Sequence, residues 1–88
     1  MAMKVTLELP DYTPETGLCT QWQDGFSIAT SGTADCFILK ANKAGLVSLA
    51  LHLLTLAQDN VPDGCHLHYD ESNSLEDESI GLVIQRTD

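Results

Sequence analysis

His66, His68 and Asp70 recur at every second position behind Gly64-Cys65, and on a strand that spacing puts all three side chains on one face. Two imidazoles so placed can converge on one divalent ion, with a carboxylate from Asp70, Glu71 or the later run Glu76-Asp77-Glu78 as a further ligand. The same alternation also marks a solvated or partner-contacting sheet face. No third ligand is singled out by the spacing, so the face reads as one that meets water or a protein, and no cofactor is required. Covalent catalysis has less support still. Cys65 and His66 are neighbours on a strand and point to opposite sides, so they cannot form a nucleophile–base pair. Cys19, Cys36 and Cys65 are an odd set without CxxC or His-paired zinc spacing, which implies free thiols in a reducing compartment. Gly25, Gly32, Gly45, Gly64 and Gly81 are too scattered to cradle a phosphate. The residues give no support to an enzyme.

What remains is charge. Between Asp59 and Glu78 there are seven carboxylates and no Lys or Arg. Most such runs only solvate a surface, but beside an open sheet face they also steer a basic partner toward it.

The elements that must position these residues follow from periodicity. Lys4 to Leu9 alternate, with Val5, Leu7 and Leu9 on one face, and read as a strand. Pro10 and Pro14 frame a loop over residues 11–17, and a second strand runs from about Leu18 to Trp22. At Gln23-Asp24-Gly25 a three-residue turn, with Gly25 left-handed, sets Trp22 opposite Phe26 and keeps both on the core side. At Gly32-Thr33 a two-residue turn pairs Ile28 with Phe37 and Phe26 with Leu39. The inner face of this meander is then Leu18, Trp22, Phe26, Ile28, Phe37 and Leu39, and its outer face carries Cys19, Ala29 and Cys36 in a row.

Asn42 is the expected N-cap of a helix over about residues 43–58, with Asn60 as a left-handed C-cap. Ten of its sixteen positions are apolar, and Gly45, Ser48, His52 and Thr55 form the polar stripe, with His52 half-exposed. So wide an apolar arc needs cover, either from the loop at residues 11–17 or from a dimer or partner interface. After Pro62-Asp63-Gly64, Cys65, Leu67 and Tyr69 face inward on a strand. The acidic loop that follows has one apolar anchor, Leu75, and a last strand from Ile80 to Gln85 points Ile80, Leu82 and Ile84 inward. The expected fold is α+β, an antiparallel sheet of about six strands with one long helix packed on one face.

Length and composition bound the function. Eighty-eight residues, 43% apolar, make one small domain with its own core. A net charge of −9 opposes binding to nucleic acid or an anionic membrane. No apolar run approaches the ~20 residues of a membrane span, and the N-terminus has no signal-like apolar stretch, so a soluble, cytoplasmic protein is expected.

Ala41-Asn42-Lys43-Ala44-Gly45-Leu46 leads into the Leu-rich helix, which ends Leu53-Leu54-Thr55-Leu56-Ala57. Val61 to Asp70, Leu75-Glu76 and Ser79 to Ile84 follow. This C-terminal stretch of roughly 50 residues resembles the immunity protein 32 family of bacterial polymorphic toxin systems, most distinctively in the Gly-x-His-x-His-x-Asp strand with the acidic loop behind it. The resemblance implies a small cytoplasmic inhibitor that binds a cognate toxin by stoichiometric contact. The expected contact region is His66, His68, Asp70, Glu71, Glu76, Asp77 and Glu78, and the expected partner carries a basic surface. Two alternatives stand beside it: a metal-binding or metal-dependent module using His66, His68 and Asp70, and a homodimer or other homo-oligomeric structural domain built on the surplus apolar helix surface.

Overall fold

The computed structural model describes residues 2–88. Its elements are β1 (Ile28–Gly32), β2 (Phe37–Ala41), α1 (Lys43–Leu56), β3 (His66–Tyr69) and β4 (Leu82–Gln85). The class is α+β as expected, but the six-stranded sheet is replaced by two antiparallel pairs, β1-β2 and β3-β4. Two expected strands do not form ladders. Residues 4–9 form no strand, and the segment over residues 18–23 is bonded by side chains of α1 instead. The His52 Nε2–H donates to the Gln21 carbonyl at 2.7 Å, and the Gln23 N–H donates to Ser48 Oγ at 2.8 Å.

The turn at residues 23–26 is as expected. Gly25 is left-handed at φ 75°, and Trp22 and Phe26 stack on one side with ring centroids 4.3 Å apart. The next hairpin is not. Ile28 pairs with Ala41, Thr30 with Leu39 and Gly32 with Phe37, a register four residues longer than the expected one. A Gly32-Thr33 turn requires positive φ at Gly32, which has none; residues 33–36 form the loop, closed by the Thr33 N–H on the Cys36 carbonyl at 2.8 Å. Phe37 therefore keeps the predicted face but sits opposite a residue with no side chain, and it is 50% exposed rather than buried. Cys36 falls in the loop and residues 18–22 are not a strand, so the expected row of Cys19, Ala29 and Cys36 does not form; all three cysteines are free thiols.

Asn42 caps α1, its Oδ1 accepting the Gly45 N–H at 2.8 Å. The same oxygen accepts from Ser27 N–H, while Nδ2 donates to the Gly25 carbonyl, so one side chain ties the turn, β1 and the helix start together. The helix ends at Leu56 with Ala57 as its C-cap, two residues short of expectation, and Asn60 does not adopt the left-handed conformation. Asn60 instead donates to the Tyr12 carbonyl, while Gln58 bonds Pro10 and Tyr12; together they strap residues 10–12 to the helix end. Arg86 donates to the carbonyls of Leu56, the last helical residue, and Gln58 just beyond it, supplying the cation that the last helical turn lacks.

The polar stripe of α1 is its packing face. Ser48, His52 and Thr55 are completely buried and Gly45 is buried with them. A Cβ at Gly45 would lie 2.6 Å from the Ser27 carbonyl oxygen, so the helix crosses this chain segment at glycine-only distance. Among the described residues no buried side-chain nitrogen or oxygen lacks a partner: Ser48 and Thr55 also donate back to the carbonyls of Ala44 and Leu51, and the His52 Nδ1 accepts from the Tyr69 hydroxyl at 2.9 Å. The core beneath is Ile28, Leu49, Leu56, Val61, Leu67, Tyr69 and Leu75, with Trp22 and Phe26 packed against it. Leu46, Leu53 and Leu54 lie half-exposed on the opposite side. No described helix is long and apolar enough to cross a membrane.

Candidate functional site

β3 alternates as its sequence requires. Leu67 and Tyr69 are buried, and His66 and His68 are exposed. The Tyr69 hydroxyl, held by His52, fixes the strand from beneath; burial in this cluster pushes the Tyr69 phenol up to about 12 and lowers His52 from its ordinary value, a fall that the Gln21 carbonyl opposes. Opposite β3, Gln85 faces His66 and Val83 faces His68, so the outer face of this pair is His66, His68, Val83 and Gln85. Leu82 and Ile84 pack inward as expected, whereas Ile80 is half-exposed, because residues 76–80 leave the β3-β4 pair and run beside β1. An open groove of about 640 Å³ along β3 is lined by His66, His68, Tyr12 and Asp63 among others.

Asp70 does not stand with the two histidines as a ligand. Its Oδ1 accepts from the Ser72 hydroxyl at 2.7 Å, the Ser72 N–H at 2.9 Å and the Asn73 N–H at 3.1 Å. The Ser72 hydroxyl foremost, with these N–H groups and the charge of His68, holds its carboxyl below the usual range. Among the described residues no three His, Cys, Asp or Glu side chains are grouped to hold a metal ion.

The acidic loop is wound on Asp70 and fastened at its far end. The Asp70 carbonyl accepts from Asn73, Ser74 and Leu75 N–H groups, and Asn73 donates to the His68 carbonyl at 2.9 Å. Leu75 is buried, as its isolated apolar character predicts. Glu76 then donates its N–H to the Ile28 carbonyl at 2.9 Å and accepts from Ser27 Oγ at 3.1 Å. The Thr30 N–H donates to Ser79 Oγ, the Thr30 hydroxyl donates to the Ile80 carbonyl, and the Ile80 N–H donates to the Thr30 carbonyl. The free edge of β1 is thereby covered. Glu71 Oε2 accepts the Glu78 N–H at 3.1 Å, which holds Glu78 at a left-handed φ of 68°.

The seven predicted residues thus divide by role. Asp70, Glu71 and Glu76 spend carboxylate oxygens bracing the loop, whereas the side chains of Asp77 and Glu78 make no hydrogen bond among the described residues and point their charge to solvent. His66 and His68 occupy the neighbouring strand face. Sequence reasoning missed Phe37 and Ile80. Both are half-exposed and converge on Gly32, giving an apolar patch that adjoins the acidic segment. The signal was Gly32 itself, read as a turn residue when it is a strand residue that leaves its partner uncovered.

Residues 37–87 match the family described as Immunity protein 32, a span that starts at β2 and takes in α1, the two-histidine strand, the acidic loop and β4. No curated protein and no solved structure matches the chain.

Proposed function

The chain belongs to the immunity protein 32 family, and from that premise we propose that it binds a cognate bacterial toxin one-to-one and neutralises it by contact, in the cytoplasm of the producing cell. The contact region is the strand face of His66 and His68 with the loop of Asp70, Glu71, Glu76, Asp77 and Glu78, and the partner presents a basic surface to it. The observation that carries this reading is the bracing of the acidic loop. A segment with five carboxylates and no cation repels itself, yet here it is fastened at Asp70, Leu75 and Glu76. A surface ordered before encounter loses little entropy on binding. Asp77 and Glu78 supply steering charge, and the Phe37–Ile80 patch supplies apolar area of the kind that anchors an interface.

The test is association kinetics with the toxin encoded beside this chain. Because Glu76 braces the loop through Ser27, the informative variant is Asp77→Asn with Glu78→Gln. It should slow association several-fold, roughly 3–10 times, with the dissociation rate nearly unchanged, and the difference should shrink as salt rises. Absence of a complex, or a complex whose association ignores both salt and the variant, would refute the reading.

A further inference from the structure

We infer that two copies of this chain pair through residues 3–9, each adding that segment to the other as an antiparallel strand over the open faces of both α1 helices. The inference is independent of the toxin. Residues 3–9 form no helix or strand, their sequence alternates strictly and every second side chain lines one groove, yet among the described residues none of their backbone groups is hydrogen-bonded. Their apolar side, Met3, Val5, Leu7 and Leu9, lines one wall of a groove of about 450 Å³ whose other wall is Leu46, Val47, Ala50 and Leu54 of α1. The groove is not closed: Met3 is 84% exposed and Leu46 is 55% exposed.

The segment is complementary to itself in one register. With Thr6 opposite Thr6 on a two-fold axis, Lys4 of each copy faces Glu8 of the other, Val5 faces Leu7 and Met3 faces Leu9. A slip of one residue sets apolar against polar side chains, and a slip of two separates Lys4 from Glu8. Pro10 ends the ladder. A chain at −9 can meet its own copy only where carboxylates are few, and α1 has none.

Area agrees. The chain exposes 6179 Å², against roughly 5,100 Å² for a folded monomer of its 9.6 kDa. The excess of about 1,000 Å² marks a chain less closed on itself than a folded monomer of its mass, as the open groove beside residues 3–9 requires.

Sedimentation and light scattering of the full chain at about 50 µM should give twice the monomer mass, with dissociation on dilution. Lys4→Glu or Glu8→Lys alone places like charges opposite one another twice per dimer and should weaken pairing on the order of tenfold. The double variant Lys4→Glu/Glu8→Lys should restore it, and the two single variants mixed should pair with each other in preference to themselves. A monomer at that concentration overturns the proposal. So does a dimer indifferent to these exchanges, or a helix face that becomes protected only when the toxin is added.

Discussion

One side of α1 carries Gly45, Ser48, His52 and Thr55 and is buried; the other carries Leu46, Leu53 and Leu54 and faces outward. Amphipathic helices usually divide the opposite way. The difference shows that burial follows fit and hydrogen-bond satisfaction as well as polarity. Glycine and small hydroxyl residues let the chain cross closely, their hydroxyls bond carbonyls of the preceding helical turn, and Ser48 and His52 serve the backbone at residues 21–23 in place of a neighbouring strand. The leucines are left for contacts that the rest of the chain only partly supplies.

The sharpest way to break this contrast is at its centre. His52→Ala should destabilise by about 3–5 kcal/mol, since it opens a cavity and strands the Gln21 carbonyl and the Tyr69 hydroxyl, as chemical denaturation would report. The same residue sets a pH dependence. The Gln21 carbonyl can only accept, so Nε2 carries the proton of the neutral ring and Nδ1 accepts from Tyr69. With the folded value lowered, the unfolded chain takes up a proton first as pH falls. The His52 contribution is therefore intact above the ordinary value of 6.5 and is lost progressively below it, down to the folded value. The stability difference between wild type and His52→Ala, measured at a series of pH values, should narrow across that window.

Gly45→Ala comes next, at about 1–3 kcal/mol of destabilisation. Alanine is worth about 1 kcal/mol more than glycine in a helix interior, but its Cβ would sit 2.6 Å from the Ser27 carbonyl oxygen, so the crossing must open. A stabilised Gly45→Ala protein in thermal melts would mean that the crossing is looser than the distance implies. At the other extreme, Leu53→Gln, which lies outside the groove shared with residues 3–9, should change stability by no more than about 0.5 kcal/mol, and a large loss would show that Leu53 itself is covered in solution.

Much of this was legible in the chain itself. The helix start at Asn42, the left-handed Gly25, the shared side of Trp22 and Phe26, the outward histidines of β3 and the Leu75 anchor all rest on local signals. What failed depended on partners distant in sequence. Alternation states which faces a strand has but not what it pairs with, so residues 4–9 and 18–22 looked like strands of one sheet. Gly32-Thr33 satisfied the composition of a turn, while the register was decided by how Ile28 and Thr30 meet Ala41 and Leu39. His52 looked half-exposed because nothing near it announces Gln21 or Tyr69 as its partners. At the candidate site, the strand face was readable, but the use of Asp70 to wind its own loop was not.

The fastening of residues 76–80 to β1 spans about 50 positions of sequence, with Glu76 on Ile28 and Ile80 on Thr30. Because these bonds join segments so far apart in sequence, the complete acidic surface exists only in the folded molecule, where β1 is in place to hold it. A nascent or unfolded chain has no such surface to offer. Any protein that grips Asp77 and Glu78 in this arrangement selects completed molecules, and by mass action each bound molecule is drawn further from unfolding and from the proteases that clear unfolded chains.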